Sequence, residues 1–273
     1  MNRDRAFSLV ELLTAMAIFV VLLAILLSAL GQMMKLAEIS NTTSERIETA
    51  GAVLDLMRAD LAEASVPLNP GDTNSLQFLL NPPADILSQS FLLPSAAFWQ
   101  RPGTSLTRSG DILTVGYFVR WTVDNPGNPT PILCRLQLNP DDTLNKLYSG
   151  QTWLSDALLD AKVSGRKSDV YAGLVAEGVM GIWMRTVKED GSTSVVWDSR
   201  SPVPGELPYA LEVRIVVIDQ QAMRRLTELP NYPAVSASSF ESDISDFVAS
   251  LPPKIRMGTR IFQTVIPLER ARK

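Results

Sequence analysis

The sequence predicts an α+β chain in which one long N-terminal helix, apolar and then amphipathic, packs on an antiparallel β-sheet domain. Three observations carry this. No charged residue occurs from Leu12 to Met34. All 18 prolines lie at or beyond Pro67, so nothing earlier forbids an unbroken helix. Beyond Pro67, strand-like runs recur, and Leu211-Glu212-Val213-Arg214-Ile215 alternates apolar and charged residues with the period of a strand. At 273 residues there is room for one large domain with a long appended element.

The apolar half comes first. About 20 apolar residues cross a hydrocarbon core at helical rise, and Leu12–Leu30 is almost wholly apolar. Arg3 and Arg5 precede it, which places the N-terminus on the cytoplasmic side and the rest of the chain outside the cytoplasm. Past Lys35 the pattern changes. Leu36, Ile39, Thr43, Ile47, Ala50, Leu54, Met57, Leu61 and Ala64 follow at spacings of three or four, drawing one stripe along a helix. Glu38, Glu45, Arg46, Glu48, Asp55, Arg58, Asp60 and Glu63 are expected on the remaining faces. The expected divisions are 1–6 as a leader, 7–34 as the membrane half of the helix, 35–66 as its amphipathic half and 67–273 as a β-rich domain.

Pro67-Leu68-Asn69-Pro70-Gly71 ends the helix. The stretch Pro82–Gly110 is rich in Pro, Ser and Gly and reads as a long loop. Strands are expected over Asp111–Val123, Pro131–Leu138, Leu174–Val187, Ser194–Trp197, Tyr209–Ile218 and Arg260–Leu268. Pro126-Gly127-Asn128-Pro129 should turn a hairpin between the first two. Short helices are expected over Gln220–Leu229 and Phe240–Leu251. The alternation at Leu211–Ile215 predicts a sheet with one wet face.

Several functions are disfavoured by composition. The chain has no histidine and one cysteine, Cys134, which removes Ser-His-Asp and Cys-His sites, any internal disulfide and ordinary zinc sites. A net charge of −4 argues against nucleic acid as a partner. One residue asks for an explanation. Glu11 sits at the start of the apolar run, where a carboxylate on a lone helix costs about 1–3 kcal/mol. Buried ionisable groups face a partner of opposite charge, and the nearest bases are Arg5 and Lys35, at the two ends of the run. The partner is therefore another molecule, or is created by processing. A cleaved signal peptide does not explain the residue, because its apolar region spans about 7–15 residues and Glu11 would interrupt it.

Ala6-Phe7-Ser8-Leu9-Val10-Glu11-Leu12-Leu13 resembles the prepilin signal of type IV pilins and type II secretion pseudopilins. That signal is a short charged leader, a small residue, then a Phe that becomes the new N-terminus, with a Glu at the fifth mature position. The resemblance implies cleavage between Ala6 and Phe7, N-methylation of Phe7, and a Glu11 that pairs with the Phe7 amine of a neighbouring subunit. Glu48–Ala64 is similar to the helix of J-type minor pseudopilins. GYFVRW (Gly116–Trp121) and LPYALEVRIVVID (Leu207–Asp219) look like the prepilin-type Verru_Chthon cassette protein C family. The implied partners are other pilins or pseudopilins, a prepilin peptidase, a membrane platform with its assembly ATPase, and membrane lipid. The implied location is the inner membrane, with the domain periplasmic. The chain is then a filament component, not an enzyme.

Other sites are weighed against plain structure. Asn139-Pro140-Asp141-Asp142-Thr143-Leu144-Asn145 gathers oxygen donors of the kind calcium takes, and calcium binds some pseudopilins. It lacks the full spacing of a calcium loop and reads as a turn, so no cofactor is expected. Asp243 and Asp246 read as a solvated helix face. Trp99, Trp121, Trp153, Trp183 and Trp197 read as core or interface. Gly173, Gly178 and Gly181 match no phosphate-cradling spacing. Two competing functions remain: a membrane-anchored adhesin or ligand-binding protein at a filament tip, which a broad exposed aromatic patch would favour, and a tethered hydrolase, which needs acids converging in a pocket.

Overall fold

A computed structural model of the chain describes residues 9–64, 78–82, 94–102, 112–125, 128–138, 172–199 and 207–268. The chain divides into two compact units, Met1–Glu45 and Arg46–Lys273. In the first unit the described residues are all helical, the beginning of α1 (Leu9–Ala62). The remainder of α1 belongs to the second unit, an α+β domain of two antiparallel sheets, and the whole agrees with a pilin-like fold. The helix closes at Ala62, where the Ala64 N–H turns back to the Leu61 carbonyl at 3.0 Å.

The strands of the second unit are β1 (Phe78–Leu80), β2 (Ala97–Pro102), β3 (Ile112–Asn125), β4 (Asn128–Leu138), β5 (Ala172–Glu177), β6 (Val179–Val187), β7 (Thr193–Ser194), β8 (Trp197–Asp198), β9 (Ala210–Ile218) and β10 (Thr259–Pro267). Three short helices lie between the last two: α2 (Gln220–Met223), α3 (Phe240–Ser250) and α4 (Pro253–Arg256). One sheet has the order β5-β4-β3-β2-β1-β8, the other β10-β9-β6-β7. The expected hairpin is there, with Val123 opposite Pro129 and Asn125 opposite Asn128.

The chain changes sheet at Gly178, which divides the expected single strand Leu174–Val187 into β5 and β6. Its N–H donates to the Pro131 carbonyl of β4 at 2.9 Å, and its own carbonyl accepts from Ile218 N–H of β9 at 2.8 Å. One residue thus bonds both sheets, at a φ of +77° that favours glycine.

The first core gathers Ala50, Val53, Met57 and Leu61 of α1 with Trp99, Val115 and Tyr117 of one sheet and Met184, Val213 and Ile215 of the other. Phe78, Trp99 and Tyr117 form a stacked column, with ring centroids 6.0 and 5.6 Å apart. On the opposite face of the smaller sheet, Met180, Trp183, Val216 and Ile218 meet Phe240, Ile244 and Phe247 of α3 in a second core.

Five further expectations are corrected. The proline-rich stretch contains β2, an internal strand paired on both sides, whose Phe98 and Trp99 are fully buried. Ser194–Trp197 is two short strands in different sheets. Helix α2 stops at Met223, because Arg225 and Leu226 bond three residues back in a tightening turn. The alternation in β9 does not mark a wet face: all nine residues are buried, since α3 covers the charged side. On α1 the buried line runs through Arg46, Ala50, Val53, Met57, Asp60 and Leu61, while Ile47 is exposed.

Candidate functional site: the apolar span and the ion clusters

The span Leu12–Met34 is 23 residues of α1, none of them buried. At 1.5 Å per residue it covers about 35 Å, enough for a bilayer core of about 30 Å. Every described side chain from Leu9 to Met34 is exposed, an apolar surface far beyond what water tolerates on a soluble protein. Glu11 lies in α1 immediately before the span. Ala6 and Phe7 lie outside the described residues, as does the side chain of Glu11, so the expected processing site and ion pair have no geometry here.

In the second unit α1 carries a carboxylate, Asp60, that lies off the apolar stripe expected from the sequence and is nonetheless buried. Asp60 is 2% exposed. Arg135 of β4 grips it in a fork, Nε to Oδ2 at 2.6 Å and Nη2 to Oδ1 at 2.9 Å. The Tyr117 hydroxyl of β3 donates to Oδ2 at 2.5 Å, and Arg101 Nη1 of β2 stands 3.4 Å from Oδ1 while donating to Glu63 at 2.7 Å. Trp99 Nε1 donates to the Asp60 backbone carbonyl at 3.3 Å. Burial, then the hydrogen bond to Asp60, pushes the Tyr117 phenol well above its ordinary range. The hydrogen bond to Asp60 likewise raises the Arg135 guanidinium. Three strands are thereby fixed to one position on the helix.

A second cluster ties α3 to the smaller sheet. Glu212 of β9, 8% exposed, accepts from Arg185 of β6 at 2.8 Å and from Arg214 at 3.1 Å. Arg214 reaches on to Glu241 of α3 at 2.7 Å. The guanidiniums of Arg185 and Arg214 lie 4.7 and 5.6 Å from the Phe240 ring centre. Near α2, Asp219 accepts the Ala222 N–H at 2.7 Å as an N-cap and stands 4.0 Å from Arg46.

Among the described residues no cluster of His, Cys, Asp or Glu could hold a metal, and Asn139–Asn145 lies outside them. A half-open groove lined by Leu226, Leu229, Pro230, Phe247 and Leu251 holds a single described acid, Glu228, and a smaller cavity beside Trp183 and Tyr232 holds none. Asp243 accepts from Ser239 Oγ at 2.5 Å and Ser236 N–H at 3.2 Å, so it ties the first turn of α3 to the segment before it, while Asp246 is exposed. Trp99 and Trp183 are core residues; Trp121 donates to the Tyr232 hydroxyl at 3.0 Å, and Trp197 is half-buried. Trp153 lies outside the described residues. Of the aromatic residues described in the second unit, Tyr209 is the one exposed. Cys134 is buried in β4, which pushes its thiol up to about 12.

Residues 1–27 match the family described as the prokaryotic N-terminal methylation motif. The match supports a type IV pilin-like protein: a prepilin-type N-terminus and, among the described residues, one apolar span, on a helix whose later turns enter an α+β domain. It favours a structural subunit over an enzyme and implies processing by a prepilin peptidase and assembly with other pilins. No curated protein matches the chain.

Proposed function

We propose that the chain is a minor pseudopilin or minor pilin of a type II secretion or type IV pilus-like system. The observation that carries this reading is the match over residues 1–27, which encompasses Ala6, Phe7 and Glu11. The prepilin inserts in the inner membrane with its leader cytoplasmic and its domain extracytoplasmic. A prepilin peptidase cleaves the Ala6–Phe7 bond, and methylation leaves the new Phe7 amine a cation. That cation is the counter-ion Glu11 otherwise lacks. In a medium of low dielectric the pair is costly to break, so it fixes the register of one subunit against the next. A membrane platform and a cytoplasmic ATPase drive assembly, and the chain works without a cofactor of its own.

Mass spectrometry of the mature N-terminus from the native host tests this. The expected product begins at N-methyl-Phe7. A product that begins at Gln32, as cleavage after the small-x-small run Ala29-Leu30-Gly31 by a general signal peptidase would give, or an intact leader in cells with an active prepilin peptidase, refutes it.

A further inference from the structure

Arg225 and Lys254, both exposed, line one half-open groove of about 1000 Å³. The first comes from the turn that follows α2, the second from α4. Between them the lining is apolar, with Leu226, Leu229, Phe247 and Leu251. Arg256, also exposed, donates to the Ala249 carbonyl of α3 at 3.0 Å, next to Ser250 of the groove wall. The one described acid of the groove is Glu228. The groove is therefore cationic, in a chain whose net charge is −4. Beside these cations two apolar side chains stand in water: Leu229 is 54% exposed and Met257 is 68% exposed. Met257 follows Lys254 by three residues in one helical turn, so the two share a face.

The groove belongs to the end of the domain at which the chain arrives from its apolar span. Asp219, the N-cap of α2, stands 4.0 Å from Arg46, the first residue of the second unit. The Asp219 N–H donates to the Gly258 carbonyl, just past α4, at 2.9 Å. Eleven residues, 35–45, separate Arg46 from Met34 at the end of the span. Even fully extended they reach only about 40 Å. A membrane that holds the span is thus never further than this from Arg46.

We infer that the groove docks on the surface of the membrane that holds the chain's own span, with anionic phospholipid as its ligand. A headgroup phosphate lies between Arg225 and Lys254, since guanidinium and ammonium groups both bind phosphate oxygens. Leu229 and Met257 enter the boundary between headgroups and acyl chains, which removes their surface from water. Two features select lipid over a protein. The tether presents the groove to the membrane at high effective concentration, whereas a soluble partner has to be met by diffusion. Cations that include lysine, set around protruding apolar side chains, suit an anionic lipid surface, whereas the cores of protein interfaces are depleted of lysine. The inference needs the span to enter a membrane, and it does not need Phe7 to be processed.

The full chain reconstituted in lipid vesicles tests this. A bimane fluorophore is attached through Met257→Cys, or through Tyr209→Cys as the reference. Tyr209 is 49% exposed and precedes β9, at the opposite end of that strand from Asp219. Cys134 is buried and stays in place. The quencher is a phospholipid with a nitroxide on its headgroup. In vesicles containing about one third phosphatidylglycerol, quenching is expected to be about threefold stronger at position 257 than at position 209. In pure phosphatidylcholine the two are expected to be equal. Arg225→Glu combined with Lys254→Glu should bring position 257 down to the reference, with far-ultraviolet circular dichroism unchanged. Salt at about 0.5 M should do the same without any substitution. Equal quenching at the two positions in phosphatidylglycerol vesicles overturns the proposal, as does quenching at 257 that ignores both phosphatidylglycerol and salt. A probe at 257 that neither the lipid nor aqueous iodide reaches also overturns it, because a second copy or another segment of the chain then covers the groove.

Discussion

Asp60 shows how one side chain can fix a helix to a sheet. Its carboxylate meets two guanidiniums and a phenol, and these come from three adjacent strands. Removing the charge leaves Arg135 and Arg101, each largely buried, facing an amide. Asp60→Asn is expected to cost about 3 kcal/mol, because an unpaired buried charge is worse than no pair at all. Tyr117→Phe removes one hydrogen bond and should cost about 1.5 kcal/mol. Denaturant midpoints read from tryptophan fluorescence distinguish the two; equal and small effects would mean that the cluster is incidental to stability. The residue was visible in the sequence but misassigned. Arg46, Ala50, Val53, Met57 and Asp60 recur at spacings of four, three, four and three, as regular as the apolar stripe drawn through Ile47 and Leu54. A hydrophobicity rule sends Arg46 and Asp60 to water, and only partners distant in sequence reverse that, Arg101 and Arg135 for Asp60 and Asp219 for Arg46.

At the scale of the element, Gly178 decides where a strand ends and a second sheet begins. A Cβ there would stand 2.7 Å from the Ile218 carbonyl oxygen, on a backbone already at φ +77°. Gly191 has a similar φ of +81° but open space around it. Gly178→Ala should therefore cost about 3 kcal/mol and Gly191→Ala about 1 kcal/mol, the second being the left-handed conformation alone. Thermal unfolding of the two variants measures the difference, and equal losses would remove the close approach from the account. Most element positions were legible from local pattern: β3 with β4, β9, β10 and α3 lie within a few residues of where alternation and turn residues put them. What escaped was non-local. Strand β2 is hidden in proline-rich sequence and exists because β1 and β3 flank it. Glu212 and Arg214 read as a wet face until Glu241 and Phe240 of α3 arrive to cover them. The prepilin-type N-terminus was the reverse case. It is legible residue by residue from Ala6 to Leu13 and does not depend on tertiary contacts.

Across the second unit, the two cores share the smaller sheet: β9 gives Val213 and Ile215 to one and Val216 and Ile218 to the other. Each core is closed by a tyrosine whose hydroxyl is hydrogen-bonded within the domain, Tyr117 fully buried and Tyr232 half-buried. Tyr117 is held by Asp60, and Tyr232 donates to the Met180 carbonyl while receiving the Trp121 N–H. Burial raises both phenols above the ordinary tyrosine value of about 10. The sign of the linkage follows. In the unfolded chain both phenols ionise near pH 10, whereas in the folded chain they stay neutral, so the unfolded state gives up protons first. Their contribution to stability is complete below pH 10, declines as the pH rises above it and is lost once their folded values are passed. Because the two phenols sit in cores that share strands, ionisation of either should open both. In a chain whose other three tyrosines, Tyr148, Tyr171 and Tyr209, are replaced by phenylalanine, an alkaline titration followed by tyrosinate absorbance and by circular dichroism is expected to show one cooperative step above pH 10, with the two signals coincident. A step in absorbance that precedes unfolding would mean that one phenol reaches water from the folded state, and Tyr117→Phe would identify which core had opened.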